Sequence, residues 1–228
     1  MELKYYFYCF ADIVLIVSSY ILGRKLLKKR NYLLGAEWLV VTFSATNLLI
    51  NALTEAPLFL KISLFCDAFS RSFGIPVIGV IGLMAVTHRF KPTIFADVML
   101  FLVGLVVTVI IWTTDALTVV KPYFYLVAWS TFSLYLLLLI RQLLEVNERF
   151  HALSVAVSMV CGQAIAGTYD FYRIPGDDDH AIFYTFAMLT WSLLGISLYF
   201  AYCALERHQY TVASARKAVS KDSTYPGN

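Results

Sequence analysis

Seven runs of about 20 apolar residues, separated by short polar loops, constrain this chain more than any other feature of its sequence. A hydrocarbon core about 30 Å thick is crossed by roughly 20 helical residues rising about 1.5 Å each. The runs are Tyr5–Gly23, Tyr32–Leu53, Leu58–Val86, Ile94–Trp112, Pro122–Ile140, His151–Tyr172 and Ala181–Leu205. A membrane barrel would instead alternate apolar and polar residues over about 10-residue strands. Continuous runs such as Met99–Trp112 exclude that. Composition agrees: 60% of the 228 residues are hydrophobic and 14% charged, too few polar groups to clothe a soluble fold. The expectation is an all-α, polytopic, seven-helix membrane domain over residues 1–205, followed by a polar tail over 206–228. The tail reads as a helical extension that gives way to disorder.

The first run follows only Glu2 and Lys4 and precedes Arg24, Lys25, Lys28, Lys29 and Arg30. A cleavable signal peptide has its positive end first, so this run reads as a retained helix. Basic residues then recur in alternate loops: Arg89 and Lys91, Arg141 and Arg149, and Arg207, Arg216, Lys217 and Lys221 in the tail. The opposite side holds only Lys4, Lys61, Lys121 and Arg173. The positive-inside rule therefore puts the N-terminus outside and the C-terminus in the cytosol of a plasma or inner membrane. A net charge of +3, spread over loops, gives no nucleic-acid face. The expected partners are the bilayer and a small polar or lipid-like ligand, with oligomerisation left open.

A repeat is visible between the first and fifth runs. At an offset of 117 residues, Tyr6-Phe7-Tyr8, Ala11, Leu22, Arg24 and Leu26-Leu27 meet Tyr123-Phe124-Tyr125, Ala128, Leu139, Arg141 and Leu143-Leu144. An offset near 115 sets Glu55 against Asp170. Two parallel three-helix units joined by the fourth helix, a 3+1+3 plan, would produce this. Val98–Trp112, with only Thr108 as a strong polar group, suits a lipid-facing linker. In topology the plan resembles small-solute transporters of the SWEET and PnuC type, and the resemblance implies transport. The Pro-Gln dipeptide of the PQ-loop relatives is absent, and helices 1, 5 and 6 lack a proline in their membrane interior.

Ionisable groups at mid-bilayer cost about 2.5–3.5 kcal/mol each on insertion scales, so they mark candidate sites. Glu37, Ser44, Asn47, Asn51 and Glu55 recur at helical spacing on one face. Asp67 and Arg71 are spaced for an ion pair, and Asp12, Gln163 and Asp170 lie on other helices. Most of these fall in the outer half. The expectation is one outward polar cavity lined by helices 1, 2, 3 and 6, with Asn47, Asn51, Glu55, Asp67, Arg71, Gln163 and Asp170 binding a small solute or ion. In that reading Arg71 holds an anionic group and Asp67 or Glu55 titrates. A second reading is an intramembrane enzyme on a lipid or isoprenoid, with Asp67 paired with Glu55 or Asp170 as acid and base. A third is a seven-helix sensor or partner subunit. Gly74-Ile75-Pro76 predicts a kink just below Arg71.

No metal or cofactor is expected. Asp177, Asp178, Asp179 and His180 read as acids before a helix start rather than as ligands. His88, His151 and His208 sit at boundaries where no haem pair forms, and the seventh run has no lysine for a Schiff base. Cys9, Cys66, Cys161 and Cys203 show no metal or redox spacing and read as small apolar residues.

Overall fold

With no water in a bilayer core, every backbone polar group has to be bonded within the protein, and a continuous apolar run without alternation satisfies that as a helix. The computed structural model describes residues 3–222, with side chains through 215. All seven runs are helical: α1 Leu3–Lys28, α2 Tyr32–Thr54, α3 Pro57–Thr87, α4 Ile94–Thr113, α5 Lys121–Glu145, α6 Arg149–Tyr169 and α7 Ala181–Asp222. Each is long and apolar enough to cross a membrane. One 3₁₀ turn, Asp115–Leu117, joins α4 to α5.

The helix ends follow from local chemistry. Asn31 caps α2: its Oδ1 accepts from Leu34 N–H at 3.2 Å, while its Nδ2 donates to the Gly82 carbonyl of α3 at 2.7 Å. Glu55 ends α2 in the left-handed region at φ 55°, and Pro57 opens α3 where its missing N–H costs nothing. Asp177 is nearly fully buried and accepts from Ile182 and Phe183 N–H at 2.9 and 2.8 Å, capping α7. The sixth helix ends at Tyr169 rather than Tyr172, with Asp170 as its cap residue. The seventh runs without a break across residues 205 and 206, and residues 223–228 lie outside the described residues.

Packing makes a closed ring. α1 packs on α2, α2 on α3, α3 on α5, α5 on α6, α6 on α7, and α7 returns to α1. α4 lies outside the ring against α3 and α2. Its exposed face carries Phe95, Val98, Leu102 and Val106, an apolar surface for lipid. Its inner face holds Gly104 against the Phe73 ring and Thr108 beside the Ser72 hydroxyl.

Lipid is as apolar as leucine, so close backbone approach and dispersion hold such helices together. Gly23 and Gly35 provide that approach between α1 and α2. A β-carbon on Gly35 would lie 2.9 Å from Leu27 N, and one on Gly23 would lie 3.0 Å from the Gly35 carbonyl. Gly35→Ala therefore forces the two helices apart. The expected cost is about 1–3 kcal/mol, read as a lower unfolding temperature in detergent, whereas Gly167→Ala, with open space around it, leaves the temperature unchanged.

Candidate functional site

Among the described residues, Arg71 is the one arginine within the spans that faces the ring interior, and what surrounds it defines the site. Its Nε donates to Asp67 Oδ2 at 2.9 Å, one turn earlier on α3. Its Nη1 donates to Asp170 Oδ2 at 2.8 Å, at the end of α6. The guanidinium lies between two rings, 3.8 Å from the centre of Tyr169 and 4.3 Å from that of Tyr125 on α5. Tyr169 also donates its hydroxyl to Asp67 Oδ2 at 2.9 Å. One cation thus ties α3, α5 and α6 through two charged hydrogen bonds and two cation–π contacts. The side chain of Arg71 is 13% exposed, against 22% for Asp67 and 26% for Asp170. The cluster holds two acidic groups to one basic group.

The backbone beneath Arg71 is unusual. Residues Ser70–Gly79 form a π-helix with Pro76 inside it. The sequence predicts a kink that frees the Ser72 carbonyl. In π geometry the bond spans five residues, so the carbonyl opposite Pro76 is that of Arg71. Such wide turns inside helices are frequent at functional sites.

Beside this cluster, within the ring and bounded by α1, α2, α3, α6 and α7, is a central cavity of about 70 Å³. Asp67, Ser44, Ser63 and Ser70 supply its polar atoms. Tyr169, Tyr184 and Trp191 supply aromatic surface, and the rest is aliphatic. Helix α7 contributes as much of the wall as any other, although the sequence places the cavity among helices 1, 2, 3 and 6.

Of the seven residues expected to bind, the structure brings Asp67, Arg71 and Asp170 together. The others lie elsewhere. Asn47 is buried and donates to the Phe43 carbonyl of its own helix at 2.7 Å. Asn51 is half-buried in the last turn of α2, and Glu55 is exposed at its end. Gln163 bonds two serines of α5, donating to Ser130 Oγ at 3.1 Å and accepting from Ser133 Oγ at 2.9 Å. Of the acid–base pairings expected for Asp67, Asp170 shares Arg71 with it, and Glu55 is exposed at the end of α2. Tyr125, Tyr169, Tyr184 and Trp191 are absent from the expected set, because interfacial and buried aromatics look alike in sequence. Tyr125 lies in the repeated Tyr-Phe-Tyr triplet, the one signal that singled it out.

Charges also close both ends of the bundle. At the amino-terminal end, Tyr5 and Lys4 contact Asp179, and these bonds hold its carboxyl well below the usual carboxylate range. At the tail end Lys29 pairs with Glu206, whose hydrogen bond raises the lysine above its ordinary value. Arg207 reaches Glu148 there at 3.1 Å. Among the described residues no cluster of His, Cys, Asp and Glu could hold a metal ion, and the four cysteines are unpaired and half-buried.

No protein-family model matches the chain, and no curated protein or solved structure is detectably similar to it. Function has to be argued from the site.

Proposed function

We propose that this chain is a membrane transporter for a small organic cation, bound in the central cavity against Asp67. The observation that carries this reading is a cavity inside a closed helix ring whose wall combines a carboxylate with aromatic rings. That combination recognises an ammonium group: the carboxylate supplies charge and the ring faces supply cation–π attraction. Arg71 is already held by two carboxylates and two rings, so acidic groups outnumber basic ones in the cluster. Asp67 Oδ2 accepts from both Arg71 and Tyr169, and Oδ1 takes no hydrogen bond among the described residues. An anionic solute would have to displace one of the bonded acids.

Two further observations support transport. The buried positions of α5 are Tyr125, Trp129, Phe132, Leu136, Leu139 and Leu143. Shifted by 117 residues, every one falls on a buried position of α1: Tyr8, Asp12, Leu15, Ser19, Leu22 and Leu26. The ring order, 1-2-3 then 5-6-7 with α4 outside, is also what a two-fold repeat about the membrane normal requires. In this reading the basic loops make the tail end cytosolic, and the π-helical stretch of α3 is the flexible element beside the site.

The test uses tetramethylammonium, a permanently charged probe that does not leak through lipid. Purified protein in liposomes is expected to take it up, and Asp67→Asn to lower uptake at least tenfold, about 1.4 kcal/mol or more of lost binding. Absence of protein-dependent uptake, or equal uptake by the variant, overturns the proposal.

A second reading draws on α7. Its 42 residues reach about 63 Å, twice the thickness of a hydrocarbon core. A helix that leaves the membrane without a break is how a sensor hands a signal onward. That reading is favoured if the probe raises thermal stability without being transported.

A further inference from the structure

Glu37 and Asp12 are the two described acids whose carboxyl oxygens are both buried and unpartnered, and Glu37 is the one set between α2 and α3. Glu37 is fully buried, and neither carboxyl oxygen has a well-aligned hydrogen-bond partner among the described residues. It belongs to no ion pair among the described residues. Elements packed on α2 supply several ionisable groups. They are Asp12, Arg24, Lys25 and Lys28 on α1, Lys61, Cys66, Asp67 and Arg71 on α3, and Asp97 on α4. α7, which reaches α2 where Gly195 meets the Trp38 ring, has no charged side chain within the membrane-spanning stretch of residues 181–205. None of these groups bonds to Glu37. An ionised carboxylate without a counter-charge in such a place costs many kcal/mol, so something must neutralise it.

Space decides what does. The carboxyl lies flat against the backbone of α3 at Gly74, where even a methyl group would overlap both oxygens. Glu37 lines neither the central cavity nor the groove between α2, α3 and α4, which are lined by its neighbours instead. A metal ion with its shell of oxygen ligands has no room. A proton needs none. Ser70 stands close enough to share a hydrogen bond with the carboxyl but is poorly aligned for one, and its buried Oγ has no other partner among the described residues. That same serine lines the central cavity and opens the π-helix that carries Arg71. One hydroxyl therefore separates the solute site from the buried acid.

We infer that Glu37 is a proton-binding site and that transport exchanges one proton for one cationic solute. The inference rests on the transport reading for its second half only. In the exchange the Glu37 O–H bond breaks and the proton leaves for water admitted past Ser70. The negative charge left on Glu37 is balanced by the solute's positive charge in the adjoining cavity, so the interior charge is unchanged. Re-protonation of Glu37 accompanies solute release. The π-turn gives α3 the freedom to move Ser70 between the two groups.

Two measurements test the two halves separately. Infrared spectra of the protein in detergent at neutral pH should show carboxylic-acid carbonyl bands that shift in D₂O. Glu37→Gln should remove one such band. Asp12, whose oxygens are likewise buried and unpartnered, provides an internal reference that the variant leaves in place. An unchanged spectrum overturns the proton site. In liposomes with an acidic lumen, wild-type protein should accumulate tetramethylammonium about tenfold per pH unit of gradient, as one-for-one exchange requires. Glu37→Gln should abolish accumulation, and so should dissipating the gradient with a protonophore. Accumulation that survives in the variant overturns the coupling while leaving the transport reading intact. Loss of the band with no uptake by the wild type establishes the proton site and sinks both the transport reading and the coupling.

Discussion

Arg71→Ala is expected to lower stability by about 3 kcal/mol and to abolish uptake. Removing the guanidinium leaves Asp67 and Asp170 facing each other across an empty space between Tyr125 and Tyr169. Removing one partner of a buried pair costs about 3–5 kcal/mol, because the remaining charge is stranded. The lower end applies here, since both acids keep about a quarter of their surface exposed. Arg71→Lys keeps the charge but has no planar fork to reach two carboxylates on different helices, so it should recover only part of the loss. The unfolding temperature in detergent reads the first effect and tetramethylammonium uptake the second. A variant that unfolds like the wild type would show that the cluster does not hold α3, α5 and α6 together. The triple change Arg71→Met, Asp67→Asn, Asp170→Asn should regain stability while remaining inactive. That outcome separates the structural cost from the functional one.

The second large effect is expected at Trp38. It is 1% exposed, and its ring reaches α7, where a β-carbon on Gly195 would lie 2.8 Å from Trp38 Cη2. Trp38→Ala should cost about 2–3 kcal/mol. Most of that is dispersion attraction forfeited around the void the indole leaves, since lipid already solvates apolar groups in the unfolded protein. Trp38→Phe should cost less than about 1.5 kcal/mol. The reason is specific: the indole Nε1 is buried without a partner, so removing it sacrifices no hydrogen bond. Equal losses in the two variants would mean that the indole N–H bonds something unseen, such as an ordered water.

How far the site could be read from sequence differs residue by residue. The Asp67–Arg71 pair was legible because four residues of helix always bring two side chains together, whatever surrounds them. Asp170 was legible as a costly group at matching depth, although its partner was not. The polar stripe on α2 was legible as a stripe, but not which of its members reach the cavity, where Ser44 lines the wall. Glu37, Ser44, Asn47 and Glu55 share a helical face, yet they meet Gly74, the Ser63 carbonyl, their own helix and solvent respectively. A helix of 23 residues packed between several neighbours presents one face to different partners along its length. Gln163 shows the same limit, since its amide is used up by serines on α5 that no local spacing could nominate.

The apolar runs alone determined that this chain is seven helices, because a backbone in hydrocarbon satisfies its N–H and C=O groups only as helices or a closed barrel, and the runs lack a barrel's alternation. They also determined that α4 shows lipid an apolar face, because it has almost nothing polar to hide. Tertiary structure alone decided which ionisable groups are paired and which are stranded. Arg71 found two acids and two rings on three helices, whereas Glu37 found a glycine backbone and one poorly aligned serine. Pairing depends on where the side chains of different helices end up, to within a hydrogen-bond length. Hydrophobic length and period fix a helix and its faces but carry no such information about its neighbours.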